Sequence, residues 1–492
     1  MTKYLTKSDF LKYQVCPSYF WLWKNKRQLC PAETNSEVKE RRFEQGNEVE
    51  SVARQLFPDG VTVVSKNAEA EQDTKKYINT GDEIIFQATV ITNNGLLAMA
   101  DILQKNGDGW NMYEVKSSKN IDKAKHLPDA AFQKIAFETA GFNIKQVNII
   151  HLNGDFIKSG PNLDPNKLLL TEIVDTQIGE LLPVIKDQIS LALDKMHSPA
   201  EPTSCPCRLY SRGKHCPTFS YFNKDIPEYS VYDISRMQGK KLASLVDAEI
   251  FNIKDIPDDF KLTENQQIQV DIEKSGQLLI DKAGIEQELD NLDFPLYFID
   301  YESVNPALPF IDGTWPYQQI VFQYSLHILD TPTSELRHTE YLARGAEKNQ
   351  LEKLVAQMRN NIGSVGSVIV WNKSFECPRN LEMAGLFPKY SEFLLDLNER
   401  TYDLKDIFAK NYYVDPKFHG SNSIKDVLPV LAPQLSYKDL NIGKGDLASV
   451  KWFDVTLGDN KEEAPQVYAD LLEYCGQDTL AMVEIYKVLV KL

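Results

Sequence analysis

The chain contains no long hydrophobic run. In 492 residues no apolar stretch approaches the length of about 20 that a membrane-spanning helix needs, so no span is expected. The opening stretch "MTKYLTKSDFLK" carries charges where a secretory leader needs an apolar core, which makes the cytoplasm the expected compartment. Internal repeats and low-complexity tracts are also missing, which excludes solenoids and long disordered linkers. Basic residues are in short supply: 54 Lys and Arg stand against 70 Asp and Glu, a net charge of −16. That deficit argues against a protein that coats nucleic acid by charge alone, although acids that hold metal would inflate it. Cysteine is scarce at seven residues, too few for a disulfide scaffold. Cys377 and Cys475 are isolated and read as small core residues. Cys205, Cys207 and Cys216 are clustered, and in a reducing compartment a cluster points to metal.

What is present suits a soluble globular chain of two or three domains, with 42% hydrophobic and 25% charged residues. Residues 1–220 begin with an aromatic-rich helical pattern. Strand-like runs follow ("VTVVS", "EIIFQATVIT", "GLLAMADIL", "NMYEVKSS", "QVNIIHLN"), with a helix "DAAFQKIAFETAG" before the last of them. Residues 221–290 read as short helices and turns, a small connector. Strands return in residues 291–492 ("PLYFIDYES", "IVFQYSLHIL", "RHTEYLA", "SVIVWN"), and a helix from about Ala464 to Leu492 closes the chain. The expected class is multidomain α/β.

The run "LYFIDYES" ends in two acids, Asp300 and Glu302. In a strand, residues two apart share a face, so both carboxylates point the same way. Two close carboxylates repel, and a divalent cation resolves the conflict. "VIVWNKSFE" is a second apolar strand running into Asn372 and Glu376. On the last helix, "EYCGQDTLAM" sets Tyr474 and Asp478 four apart, on one face. Each acid alone is unremarkable as a strand end or helix decoration. "IDYE", "WNKSFE" and "YCGQD", in this order, resemble the three motifs of the tyrosine-bearing DEDD (DEDDy) exonucleases. The resemblance implies an RNase H-like fold and 3′→5′ hydrolysis of nucleic-acid phosphodiesters. By it, Asp300, Glu302, Glu376 and Asp478 would hold two Mg²⁺ or Mn²⁺ ions, and Tyr474 would orient the attacking water. The family's second motif usually ends in Asp where this chain has Glu376; Asp403, in "TYDLKDIF", is the substitute candidate.

In the first half, "YEVKSS" places Glu114 and Lys116 on one strand face, and the preceding strand candidate ends in Asp101. Two acids with a lysine suit phosphodiester hydrolysis: carboxylates hold a metal, and the ammonium aids the nucleophile or the developing charge. Upstream, "EQGNEVESVARQLF" carries Glu50; downstream, "AFQKIAF" carries Gln133 and Phe137. The order G-x-x-x-E, strand-end Asp, E-x-K, Q-x-x-x-aromatic resembles the RecB-like branch of the PD-(D/E)XK nucleases. Phe137 stands where that branch carries Tyr. The restriction-endonuclease-like fold so implied would hold one or two Mg²⁺ or Mn²⁺ ions, with Asp101 and Glu114 as metal ligands and Glu50, Lys116 and Gln133 completing the site. Cys16 together with Cys205, Cys207 and Cys216 resembles the four-cysteine set of the iron–sulfur nucleases, the CRISPR adaptation exonuclease and the AddB-type helicase-nucleases. That resemblance implies a 4Fe–4S cluster stapling the two ends of the domain. Zinc is the alternative for four thiolates, and Cys30 and His215 are spare ligands. The aromatic stripe "YFWLWKNKRQ" reads either as a single-strand-binding surface or as core with a basic end.

The whole chain resembles a bacterial family of unknown function that fuses a RecB-like iron–sulfur nuclease to an RNase H-like exonuclease. "WPYQQIVFQYSLHI" and "FHGSNSIKDVLPVL" add to the likeness. The expectation is a metal-dependent nuclease with two sites, acting on single-stranded DNA ends, with no membrane partner. The competing expectation is a nucleic-acid-binding or scaffold protein whose N-terminal site has decayed.

Overall fold

The computed structural model describes residues 3–31 and 36–492. Among the described residues the chain is mixed α/β with three sheets, and it divides into two compact units: residues 1–34 with 40–226, and residues 35–39 with 227–492. Among the described residues no helix is long and apolar enough to cross a membrane.

The first unit is built on a seven-stranded sheet. Its order is Val61–Thr62, Ile84–Ile91, Leu96–Asn106, Gly109–Lys116, Ile144–Leu152 and Leu169–Ile173, with Leu5–Thr6 pairing parallel to the start of Leu96–Asn106. The central strands are dense in Ile, Val, Leu and Ala, and their apolar faces meet the helix His126–Thr139 in one core. Phe10 and Phe132 stack there at 5.2 Å. Helix Lys7–Val15 starts at a capping box in which the Thr6 hydroxyl and the Asp9 carboxylate satisfy each other's backbone N–H. Helix His126–Thr139 stops before Gly141, whose φ of +94° needs the missing Cβ. Asp101 lies within a strand that continues to Asn106, not at a strand end as expected. "VTVVS" contributes only Val61–Thr62, and the short strands Leu5–Thr6 and Leu169–Ile173 carried no local pattern. Edge strands of this length owe their pairing to a neighbour.

The second unit has a five-stranded sheet ordered Leu336–Leu342, Ile320–Leu329, Leu296–Val304, Ser367–Val370, Thr401–Asp403. Numbered along the chain, that order is 3-2-1-4-5. The first two junctions are antiparallel and the last two parallel. All ten residues of Ile320–Leu329 are buried; one face carries Gln323, Ser325 and His327, which bond to the Leu471 carbonyl and the Thr479 hydroxyl, so both faces are covered. On one side Phe322 stacks on Trp452 at 4.6 Å. On the other, the long helix Ala464–Leu489 packs Met482, Ile485 and Leu489 against Phe298 and Ile369. The fifth strand, Thr401–Asp403, lies in a segment whose sequence suggested no strand. Its three residues take their conformation from parallel pairing with Val368–Val370. Residues 227–290 form short helices, including Gly239–Asp247, Glu264–Ser275 and Lys282–Leu289, and belong to this unit.

Candidate functional site

Among the described residues, side chains able to share one metal ion come together in two places. One is Asp300, Glu302 and Asp478, whose nearest ligand atoms all lie within 4.8 Å of one another. The strand Leu296–Val304 supplies the first two from one face, and the helix Ala464–Leu489 supplies the third. Tyr474, one turn before Asp478, is buried beside them. Burial, reinforced by Asp478 and Glu302, pushes the Asp300 carboxyl well above its ordinary range. Burial and Asp478 push Glu302 up to about 8; burial pushes Asp478 up to about 6.

Glu376 stands outside that trio but bears on it, since its charge contributes to the shift of Asp300. It lies in the first turn of helix Lys373–Leu386, directly after the strand Ser367–Val370. Its Oε2 is buried without a hydrogen-bond partner, and burial raises its carboxyl to about 8. Asp403 is occupied differently: its oxygens accept the backbone N–H of Lys373 at 2.9 Å and of Lys405 at 3.1 Å. The free, unsatisfied acid is therefore Glu376. Three crowded carboxylates, with a fourth nearby that carries an orphaned oxygen, fit hard divalent ions such as Mg²⁺ or Mn²⁺.

Two residues of this site had no sequence signal that singled them out. Tyr437 donates its hydroxyl to Asp478 Oδ1 at 2.6 Å. Lys425 Nζ lies 3.3 Å from the Tyr474 hydroxyl and donates to the Gly443 carbonyl at 2.7 Å. Cys475, read as a small core residue, is buried with its Sγ 3.8 Å from Asp300 Oδ2.

The raised carboxyls make a pH prediction for metal-free protein. An acid whose folded value is raised binds protons more readily folded than unfolded, so stability falls as pH climbs from the ordinary carboxylate range toward the folded value. With Glu302 and Glu376 near 8, the unfolding midpoint after chelation is expected to drop between pH 5 and pH 8. The slope is about 1.4 kcal/mol per pH unit for each group. Added Mn²⁺ should restore the midpoint most at pH 8. A pH-independent midpoint in calorimetry would contradict this.

The second place is Cys16, Cys205, Cys207 and Cys216, all buried, with their sulfurs within 4.8 Å of one another. Cys205 lies 3.5 Å from both Cys16 and Cys216. Cys16 caps helix Pro17–Asn25, its sulfur accepting the Tyr19 N–H at 3.4 Å. Cys30 and His215 are outside this group; His215 stacks on Phe219 at 3.6 Å.

The first unit also gathers the other predicted residues. Sheet pairing between Leu96–Asn106 and Gly109–Lys116 ends at Ile102 and Tyr113, and the next positions are Asp101 and Glu114. Glu114 Oε1 takes Lys116 at 2.6 Å and Lys7 at 2.7 Å, while Oε2 accepts from Gln133. Burial would raise Glu114, but Lys116 and Lys7 outweigh it and hold this carboxyl below its ordinary range. Asp101 accepts the Val115 N–H at 2.8 Å; burial, with Glu114, lifts it to about 8. Glu50 is held by Arg54 at 2.6 Å and by Gln87 at 2.5 Å. Gln87 lies across the sheet from Asp101, between the pairs Phe86–Ile102 and Ala88–Ala100, with a left-handed φ of +57°. Lys7 was not anticipated: a charged residue at the start of a short helix has no local mark of a site. Phe137 is core, packed edge-on to Phe142 at 5.2 Å. The aromatic stripe is core as well. Tyr19, Phe20, Trp21 and Leu22 are buried, Lys24 pairs with Asp9, Lys26 with Glu201, and Trp23 lies against Lys12 and Arg27.

These features define a two-unit α/β protein with a buried carboxylate site in one unit and a thiolate cluster in the other. Residues 297–423 match a family described as Domain of unknown function (DUF2779). Among curated proteins, Uncharacterized protein UU173 of Ureaplasma parvum is 30% identical over 53% of this chain and 41% of its own length. Uncharacterized protein MG366 of Mycoplasma genitalium is 31% identical over 38% of this chain and 31% of its own length. The chain thus spans less than half the length of either relative. No solved structure matches.

Proposed function

We propose that the protein is a metal-dependent nuclease whose second unit removes nucleotides from single-stranded DNA ends in the 3′→5′ direction. The observation that carries the reading is the convergence of Asp300, Glu302 and Asp478 beside Tyr474, with the unsatisfied Glu376 bearing on them. The 3-2-1-4-5 sheet, with its second strand antiparallel, supports an RNase H-like assignment for this unit. Bound Mg²⁺ or Mn²⁺ would activate water and neutralise charge at phosphorus. The four carboxylates would hold those ions, and Tyr437 would keep Asp478 turned toward them. Tyr474 would orient the attacking water. The water oxygen bonds to phosphorus, the bond to the 3′-oxygen breaks, and that oxygen takes up a proton. The test is incubation of Mn²⁺-loaded full chain with 5′-labelled single-stranded DNA. A ladder shortening from the 3′ end is expected; intact substrate after long incubation would refute the reading.

In the first unit Asp101, Glu114, Lys116 and Gln133 support a RecB-like PD-(D/E)XK site. A specific observation favours a second reading there, a nucleic-acid-binding unit that does not hydrolyse: both Glu114 oxygens are engaged by Lys7, Lys116 and Gln133. If that site is active, Glu114→Gln should remove an endonucleolytic or 5′-end product while the 3′ ladder persists. If the second reading holds, the product pattern of Glu114→Gln will equal that of the natural chain.

For the thiolate cluster we propose a single Zn²⁺. A tetrahedral ion bonded to sulfur at about 2.3 Å sets its four thiolates roughly 3.8 Å apart. A 4Fe–4S cluster puts each thiolate on a separate iron, which spreads the sulfurs farther. Contacts of 3.5 Å within a set spanning no more than 4.8 Å favour the single ion.

A further inference from the structure

Lys425 is a half-buried cation beside an anionic site, yet among the described residues no carboxylate lies within ion-pair distance of its Nζ. Its neighbours are neutral. Nζ donates to the Gly443 carbonyl at 2.7 Å and lies 3.3 Å from the Tyr474 hydroxyl. The Tyr474 and Tyr437 rings stand 5.3 and 5.6 Å from it, close enough for cation–π attraction. Its backbone is pinned too, since Lys425 N–H donates to the Ser423 hydroxyl at the start of helix Ile424–Leu431. An ammonium has three protons to donate. Two have partners in the chain, and the third is available to a ligand.

Charge counting says what that ligand is. Asp300, Glu302, Glu376 and Asp478 carry four negative charges, which two divalent ions would balance. A phosphate entering such a site brings further negative charge that nothing in the carboxylate set can offset. Lys425 is the cation whose charge acts on both Glu302 and Asp478. Lys405 and Arg379 act on Glu376. Backbone carbonyl and ring contacts hold Nζ in place before any ligand arrives, so little ordering remains to be done on binding. A lysine serving only to support the fold would be expected to take a carboxylate partner, and Glu302 and Asp478 are near enough to feel its charge.

We propose that Lys425 is a phosphate-binding residue of the carboxylate site, donating from Nζ to a non-bridging oxygen of a nucleotide phosphate while fixing the Tyr474 hydroxyl. The substrate class rests on the nuclease reading; the phosphate contact does not. Tyr437, by holding Asp478 Oδ1, is a positioning residue in the same wall.

The test uses full-length chain loaded with Mn²⁺ and titrated calorimetrically with thymidine 5′-monophosphate, with Mn²⁺ affinity measured separately by electron paramagnetic resonance. Lys425→Met and Lys425→Gln remove the charge; Lys425→Arg keeps it. Loss of a charge-assisted hydrogen bond should weaken thymidine 5′-monophosphate binding at least about tenfold in the Met and Gln variants. The Arg variant should lie within about threefold of the natural chain, and none of the three should weaken Mn²⁺ binding, since removing a nearby positive charge favours the ion. Nucleotide binding that is absent in the natural chain, or unchanged by Met and Gln, would overturn the proposal. So would equal losses in Met, Gln and Arg, which would mark Lys425 as structural. Lys425-dependent nucleotide binding by a chain that leaves single-stranded DNA intact would uphold the phosphate contact and reject the nuclease reading.

Discussion

Asp300→Asn is expected to abolish Mn²⁺-dependent shortening of single-stranded DNA and, in the metal-free state, to raise the unfolding temperature. The two effects share a cause. Asp300 is driven far above the ordinary carboxylate range by burial and by Asp478 and Glu302, so in metal-free protein its carboxyl is a liability. A neutral amide of the same shape relieves that repulsion, and the gain should be larger at pH 8 than at pH 5. The same substitution takes a charge from the metal-binding set. Loss of activity should exceed about a hundredfold, since even groups one shell further out cost ten- to a hundredfold. Gel assay and calorimetry on one preparation check both halves. An active variant, or a metal-free variant less stable at pH 8 than the natural chain, would remove Asp300 from the site.

Cys205→Ser should strip metal from the first unit and destabilise it severely. Cys205 touches both Cys16 and Cys216, so one substitution breaks the set that ties helix Pro17–Asn25 to residues 205–216. A closed four-thiolate site contributes about 10–16 kcal/mol in small zinc domains. Net stabilities are about 5–15 kcal/mol, so even part of that loss decides whether the tied segments stay folded. Elemental analysis should find about one zinc per natural chain and none in the variant. Limited proteolysis should then open the variant near residues 198–226, while the sheet core around Phe132 and Ile149 stays protected. Four irons per chain, with the broad absorption of an iron–sulfur centre, would replace zinc with 4Fe–4S. Full metal content in Cys205→Ser would exclude the tetrad as the binding site.

Relations set by local backbone geometry could be read directly. Asp300 and Glu302 share a face because a strand repeats every two residues. Tyr474 and Asp478 share one because a helix repeats every 3.6. Glu114 and Lys116 follow the strand rule and meet at 2.6 Å. The grouping of cysteines at 205, 207 and 216 was equally plain, and the partnership with Cys16 came from resemblance to known four-cysteine nucleases. Periodicity failed where pairing came from a distant neighbour, as in the fifth strand at Thr401–Asp403 and the edge strand Leu5–Thr6.

From the sequence alone, then, came the pairs within one strand or helix and the kinds of atom offered to a metal. The tertiary structure alone separated Glu376, with its unsatisfied oxygen, from Asp403, whose oxygens are spent on backbone N–H groups. It also brought Lys7 onto Glu114, Tyr437 onto Asp478 and Lys425 onto Tyr474. Those contacts span 107, 41 and 49 residues, and no period links positions so far apart. Their meeting depends on how whole elements pack, which the burial of each unit's apolar residues determines.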